Sequence, residues 1–417
     1  MDDSYYQLLK PLLHFGQVLG FPLPEQHGKE PNYRKISHKV FMIGYSLFMT
    51  IISLLLLLIK FQIFAKVPEN TSLIESGLGI LYHVPVFALY VHLFQSRKCF
   101  GAFLTEWRCL SWHIKPEKIQ MSSVYTSILV LFGSAIVETI LFDAAVCQKQ
   151  IGPYKNATFL EKYVDNTVYE TESLQSIRES WNPIFMGAFY ILSKLITLST
   201  DYSDALCITL VFGITARLQL MNKHLKHHLY IKENPKQILI FTDNGHNHHH
   251  KITDQKNPTK IYWPHIYRDF VKLRILSDQI SKFASPLILV SLKINVFAAV
   301  AFLDDTINLS ARSQQTHANG THTGIYISLW HYVIRTVLVI HFASGVYRTS
   351  DETLAIIKNA PESVQSWPDT EPILAMLRRK PIGIVFFDTY FITRSLFISI
   401  LNFVFTIEVM ILQASSS

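Results

Sequence analysis

Seven apolar stretches, each near the 20 or so residues a helix needs to cross a bilayer, constrain this chain of 417 residues more than any motif does. They fall at about 40–60, 73–94, 124–146, 183–213, 284–303, 325–346 and 384–413. In lipid every backbone polar group must be satisfied within the segment, so stretches of this length are helices. Only 17% of residues are charged and the mean hydropathy is +0.22, whereas a soluble chain carries charge on about a quarter of its residues. The expected fold is an all-α polytopic membrane protein with seven transmembrane helices.

The formal charge of +7 does not point to nucleic acid, because the basic residues lie between the apolar blocks and not on one domain. Residues 1–37 are mixed and polar with no short apolar run of the signal-peptide kind, so the first span is expected to act as its own insertion signal. Orientation follows from two counts. With the N-terminus in the cytoplasm, segments 1–39, 95–121, 215–283 and 348–380 lie inside and hold 27 of the 38 Lys and Arg. That is the asymmetry of a positive-inside protein. The four open glycosylation sequons, at Asn70, Asn156, Asn308 and Asn319, all fall on the opposite side. The N-terminus is therefore expected inside and the C-terminus outside. This is the reverse of a G-protein-coupled receptor.

The inner side is the bulkier one. The fourth span runs on from Arg217 as a basic helical pattern, and Ile266, Phe270, Leu273, Ile280 and Phe283 form a stripe suited to a partner helix. Pro286 is expected to bend or break that helix. Four parts result: a cytoplasmic segment 1–39, a six-span bundle 40–346, a cytoplasmic segment 347–383, and a last span 384–417. The chain contains no G-x-S-x-G, H-E-x-x-H, phosphate loop or Cys-x-x-Cys, so neither an enzyme nor a cofactor is expected. The His-rich run 244–250 reads as a solvated loop and not a metal site. Four scattered cysteines do not make a disulfide framework. Cys147 alone is placed outside.

The last span carries polar residues that are unfavourable in lipid unless they face protein or water. Asn402, Thr406, Val409 and Gln413 share one helical face at spacings of four, three and four. Leu412 and Ile411 lie nearby. Such a face can line a pore through its hydroxyl and amides and close it by dewetting at an apolar ring. It can equally bond across packed helices. Glu408 falls off this face and is expected to pair within or between subunits.

Several stretches resemble the insect-type gustatory receptors, in particular their sugar-receptor branch. The closing octad Thr406–Gln413 is similar to the family's Thr-Tyr, five apolar residues, Gln-Phe ending, with Glu408 where sugar-type members carry Glu. Ile407 and Ala414 stand in place of the motif Tyr and Phe. Trp263 through Arg268 to Leu273 and on to Ser291 and Asn295 resembles the fifth-span entry. Asp204 through Arg217 and Asn222 resembles the end of the fourth span. Ile325-Tyr326, Ser328-Leu329 and Arg335-Thr336 look like the sixth span, and Tyr390–Arg394 the seventh. The likeness is best from about residue 180 onward.

The resemblance implies a ligand-gated, non-selective cation channel in the plasma membrane of chemosensory neurons. It would be a homo- or hetero-tetramer with related receptors, each subunit placing its seventh span at a central pore. Gln413 becomes the favoured pore residue. The implied ligand is a small-molecule tastant, a sugar, held in the outer half of each bundle. Sugars need hydrogen-bonding groups and aromatic faces shielded from water. The outer halves of the spans offer Tyr82, His83, Glu138, Asp143, Trp181, Tyr190, Tyr326, Trp330, His331 and Arg335. Charges such as Glu138 and Arg335 are functional candidates because isolated charges in lipid are unfavourable. An internal ion pair holding the bundle explains them equally well. Trp181 and Tyr326 also suit an interfacial aromatic belt. Lys194, Asp201 and Asp204, deeper in the fourth span, read first as structural or coupling charges. An odorant-type or bitter-type receptor of the same architecture is the alternative, and a secondary transporter is a more distant one.

Overall fold

The computed structural model describes residues 3–19, 21, 33–65, 73–109, 122–148, 156–164, 182–233, 263–312, 319–360, 370–386 and 389–416. It is almost entirely helical. In chain order the helices are α1 (Asp3–Val18), α2 (Tyr33–Ala65), α3 (Leu73–Cys109), α4 (Ser122–Gln148), α5 (Phe159–Val164), α6 (Pro183–Glu233), α7 (Trp263–Arg312), α8 (Asn319–Lys358) and α9 (Thr370–Arg379). A two-stranded hairpin, β1 (Val385–Phe386) and β2 (Tyr390–Phe391), precedes the last helix, α10 (Ser395–Ser416). Each of the seven apolar stretches falls wholly or mostly within one of the long helices. Among the described residues, five helices are long and apolar enough to cross a membrane: α2, α4, α6, α7 and α8. The chain is thus a multi-pass membrane protein.

Burial ranks these helices. In α6 the most apolar window is 94% buried, against 28% in α2 and 22% in α4. The sequence explains the contrast. From Ser199 to Leu218, α6 alternates Ser, Thr and Asp with Leu, Ile and Val, a composition that only a protein-lined environment satisfies. Helix α2 instead presents Leu47, Phe48, Ile51, Leu55 and Leu58 outward, as a lipid-facing helix does. Helix α6 is therefore the central pillar, packed on α8, α7 and α4, while α3 packs on α7 and α2.

Small polar residues set the helix pairs. Asn222 of α6 donates from Nδ2 to the Thr349 carbonyl of α8 at 3.1 Å, and the Thr353 hydroxyl donates to its Oδ1 at 2.6 Å. One amide is satisfied from both sides, which fixes the α6–α8 register at that end. Serine and threonine hydroxyls elsewhere in α6 bond back to their own helix, as Thr209 does to Ala205 and Thr215 to Val211, which satisfies a hydroxyl in a buried helix.

Three sequence expectations change here. The N-terminal segment is not merely polar, since α1 buries Leu9 and Leu12, and Leu19 and Phe21 follow it into the core. The Phe21 ring stacks on Tyr90 and Tyr202, at 5.5 and 5.1 Å. Pro286 does not break its helix: α7 runs unbroken from Trp263 to Arg312. Proline removes one backbone donor, and the dense packing of Ala284, Ser285, Leu287 and Ile288 holds the helix together around it. The last span begins later than 384, because Val385–Phe391 forms an antiparallel hairpin with Val385 opposite Phe391.

That hairpin is fastened to the bundle. The Ser281 hydroxyl accepts from the Val385 N–H at 2.9 Å, and Ser285 donates to the Val385 carbonyl at 2.7 Å. The Ser350 hydroxyl of α8 accepts from the Ile382 N–H at 2.9 Å. Gly383 is needed beside this clamp, since a Cβ there would stand 2.8 Å from the Phe391 ring.

A tighter approach occurs at Gly16, where an added Cβ would run into the hydroxyl of Tyr202. Tyr202 is fully buried and its ring is held by Phe21 and Phe15, so it has nowhere to go. Gly16→Ala is expected to destabilise the protein by about 1–3 kcal/mol, the usual range for overpacking. Thermal unfolding in detergent should show a clearly lowered midpoint, whereas an unchanged midpoint would mean that α1 does not dock on Tyr202.

Candidate functional site

The central pillar α6 carries two polar clusters about two turns apart, near 10 Å at 1.5 Å per residue. The inner one joins five helices. Arg335 of α8, 1% exposed, points at two carboxylates of α6. Its Nε and Nη2 stand 2.9 and 2.8 Å from Asp204 Oδ2, and its Nη1 stands 3.1 Å from Asp201 Oδ1. Asp201 and Asp204 lie three apart, hence on one face of the helix, which lets one guanidinium serve both. The Tyr332 ring lies under the guanidinium at 5.5 Å. Arg335 is therefore an internal ion-pair partner, and its acids are Asp201 and Asp204 rather than Glu138.

Around this triad sit buried and half-buried polar groups. His331 Nε2 stands 3.4 Å from Asp201 Oδ1, and its Nδ1 is 2.9 Å from the Ser134 hydroxyl of α4. The Ser328 hydroxyl donates to Glu138 Oε1 at 3.3 Å. Tyr82 of α3 borders Thr197 and feels the charges of Arg335, Asp201 and Glu138. Its ring meets His83 edge-on at 5.3 Å. Ser291 of α7 bonds the Asp204 carboxylate. This is a ring of hydroxyls, two imidazoles and one half-buried carboxylate around a centre in which one guanidinium serves two carboxylates. The ring can exchange hydrogen bonds with a polar ligand.

The outer cluster is built on Asp143 of α4. Its carboxylate accepts from the Tyr190 hydroxyl at 2.8 Å and from Lys194 Nζ at 2.7 Å. The Lys194 ammonium lies within 5.2–5.5 Å of the Phe142, Tyr163 and Tyr190 rings, so it is held by a carboxylate and three aromatic faces. Short helix α5 supplies Tyr163, whose hydroxyl donates to Ser193 at 3.1 Å.

The structure thus brings Tyr82, His83, Glu138, His331 and Arg335 to one cluster and Asp143 and Tyr190 to the other. Tyr326 and Trp330 join neither, being 48% and 61% exposed on the outer face of α8. They lie four apart, one turn along the same face, opposite the one that carries His331 and Arg335. Trp181 lies outside the described residues, as do Asn70 and the His-rich run 244–250. Asn156 is exposed, and Asn308 and Asn319 lie in the end turns of α7 and the first turn of α8. Cys147 is exposed and free. Among the described residues no cluster of His, Cys, Asp or Glu is arranged to hold a metal. Ser134 and Thr197 escaped sequence reading, since one hydroxyl among many in a span carries no pattern. Asp201 and Asp204 did carry one in their spacing of three beneath Lys194.

The last helix differs from the rest. Leu396, Phe397 and Ile400, in its first turns, pack on the core. Beyond them Phe403, Phe405, Val409 and Met410 are exposed, as are Asn402, Thr406 and Gln413. The Thr406 hydroxyl donates to the Asn402 carbonyl of its own helix at 2.7 Å, so it is not spent on a neighbouring helix. The side chains of Glu408, Ile411 and Leu412 lie outside the described residues.

Residues 246–417 match the model of the trehalose receptor family. That match spans 172 of the 417 residues. No curated protein is matched in sequence. Among solved structures the chain is similar to the insect olfactory receptor OR5 from Machilis hrabei, at a TM-score of 0.65 and 14% identity. The likeness covers 99% of this chain and 100% of that one. The same receptor in complex with eugenol matches equally, at a TM-score of 0.65 and 14% identity with the same coverage. The chain therefore shares the fold of that olfactory receptor along almost its whole length.

Proposed function

We propose that the protein is a gustatory receptor that works as a ligand-gated, non-selective cation channel and detects sugars. Seven helices, α2, α3, α4, α6, α7, α8 and α10, cross the plasma membrane of chemosensory neurons, with the N-terminus inside and the C-terminus outside. Four subunits, identical or related, bring α10 to a central pore lined by Asn402, Thr406, Val409, Leu412 and Gln413. One observation carries this reading: α10 is anchored by the clamped hairpin and then exposes both apolar and polar residues on several sides. Lipid covers the apolar ones, but the polar face of Asn402, Thr406 and Gln413 needs water or other copies of itself.

The ligand binds in the outer half of the bundle, against the ring of Tyr82, His83, Glu138, Ser134, Ser328 and His331 around the neutralised Arg335. The Asp143–Lys194–Tyr190 cluster stands toward the outer mouth. A polyol suits such a ring because each hydroxyl both donates and accepts. The domain reading follows: a six-span bundle 40–346 that senses, and a last span 384–417 that conducts. Asn156, exposed outside the bundle, is the best placed of the four sequons for glycosylation. The match to solved receptors that include a eugenol complex favours one second reading, in which the ligand is an apolar volatile.

The deciding experiment is a whole-cell recording of the chain expressed alone, challenged with disaccharides and then with volatile aromatics. A sugar-evoked current that persists when G-protein signalling is blocked is expected. A response to volatiles and to no sugar would establish the second reading, and sugar uptake without current would replace both with a transporter.

A further inference from the structure

At the opposite end of the bundle from the two polar clusters, the first residues of α4 meet α6 and α8 around a cavity of about 520 Å³. That volume lies within the range of about 300–1,000 Å³ typical of small-molecule sites. Its wall carries three cationic side chains, Lys223 of α6, Arg348 of α8 and Arg394 immediately ahead of α10, beside the imidazole of His341. None of the described residues lining it is acidic. Like charges gathered in one concavity repel, and both arginines are exposed to the cavity mouth rather than spent in the core. Ser122 and Ser123, which open the 27-residue α4, also line it. They add hydroxyls and the backbone N–H groups of a helix start, where an anion is favoured. The remaining wall is Thr215, Gln219 and apolar residues, with the Phe212 and Phe342 rings edge to face at 6.4 Å.

We propose that this cavity is a binding site for a phosphate-bearing anion of the phosphoinositide headgroup class. Guanidinium groups fit phosphate through paired N–H bonds, and no other described group on the wall offsets their charge. The mixture of basic and aromatic wall suits an anion joined to an apolar tail, as at basic pockets between membrane helices. Arg394 adjoins Ser395, the first residue of α10. A phosphate held by Arg348, Lys223 and Arg394 would tie the base of α10 to α6 and α8. The site is separate from the tastant pocket proposed above, and its binding test needs neither sugar, current nor a membrane orientation.

The test uses the purified full chain in detergent micelles. Binding of dioctanoyl phosphatidylinositol bisphosphate is followed by calorimetry at low and at physiological salt. Saturable binding that weakens with salt is expected. Arg348→Gln and Arg394→Gln should each reduce affinity about tenfold, the loss of one charge-assisted pair, while Arg348→Lys keeps part of it. Lys380→Gln, at an exposed lysine paired with Asp278, should leave it unchanged. Thermal unfolding of each variant confirms that the fold is intact. Inositol trisphosphate competing as well as the lipid assigns the site to a soluble phosphate, and competition by the lipid alone assigns it to a membrane headgroup. No saturable binding, or wild-type affinity in the Arg348→Gln/Arg394→Gln double variant, would overturn the proposal.

Discussion

Replacing Arg335 by Met should abolish the folded receptor. The guanidinium is the cation for Asp201 and Asp204 together, and all three residues are 1% exposed. Removing one partner of a buried pair leaves uncompensated charge, a loss of about 3–5 kcal/mol, and here two carboxylates are stranded at once. That is a large share of the whole stability of a typical domain, about 5–15 kcal/mol. Expression should fall and the remaining protein should aggregate on size exclusion. Arg335→Lys should be intermediate, because one ammonium cannot reproduce the fork that serves both acids. The triple change Arg335→Met, Asp201→Asn, Asp204→Asn separates stability from function. It removes every charge of the triad, so the protein should fold again, as apolar replacements of buried pairs often do. It should still not respond to ligand if the triad organises the pocket. A folded Arg335→Met single variant would show that the triad is not a closed charge system.

The second large effect is expected at Val409. This residue lies on the face of α10 that also carries Asn402, Thr406 and Gln413, and it is 52% exposed in the single chain. If copies of this face close a pore, the Val409 side chains form an apolar constriction that excludes water. Val409→Ser should wet it and raise the current measured without ligand about tenfold, equivalent to about 1.4 kcal/mol in the closed–open balance. Val409→Ile should keep the pore closed at rest. Basal current equal to wild type in Val409→Ser, at equal surface expression, would remove Val409 from the gate. Ile407 and Ala414, which depart from the closing motif of the gustatory receptors that this chain resembles, lie beside this position.

Much of the fold was readable along the chain, for a physical reason. Lipid leaves a backbone few options, so a run of apolar residues such as 40–60 announces both a helix and its extent. The continuation of the fourth span past Arg217 was legible in the same way, and α6 does run on to Glu233. The hairpin at 385–391 was not, because Val, Phe, Tyr and Ile suit a buried strand as well as a spanning helix. Its conformation is set by Ser281, Ser285 and Ser350 on other helices. The docking of α1 was hidden for a similar reason, since Leu9, Leu12 and Phe21 are few and their partner Tyr202 is far away in sequence.

The site divides along the same line. Residue types and their spacing named Tyr82, His83, Glu138, Asp143, Tyr190, His331 and Arg335, because polar groups within an apolar span demand an explanation on their own. Who pairs with whom was not in the chain. Asp143 belongs with Lys194, and Arg335 with Asp201 and Asp204, while Trp330 faces outward one position from His331. A helix's own periodicity says which residues share a face and not which neighbour that face will meet. Composition and hydropathy therefore specified a helical membrane protein, with charges inside its spans. The packing of α4, α6 and α8 determined that those charges pair in two separate clusters. Pairing needs contacts of about 3 Å between residues 51 positions apart in one cluster and 131 in the other, and nothing local along the chain encodes that distance.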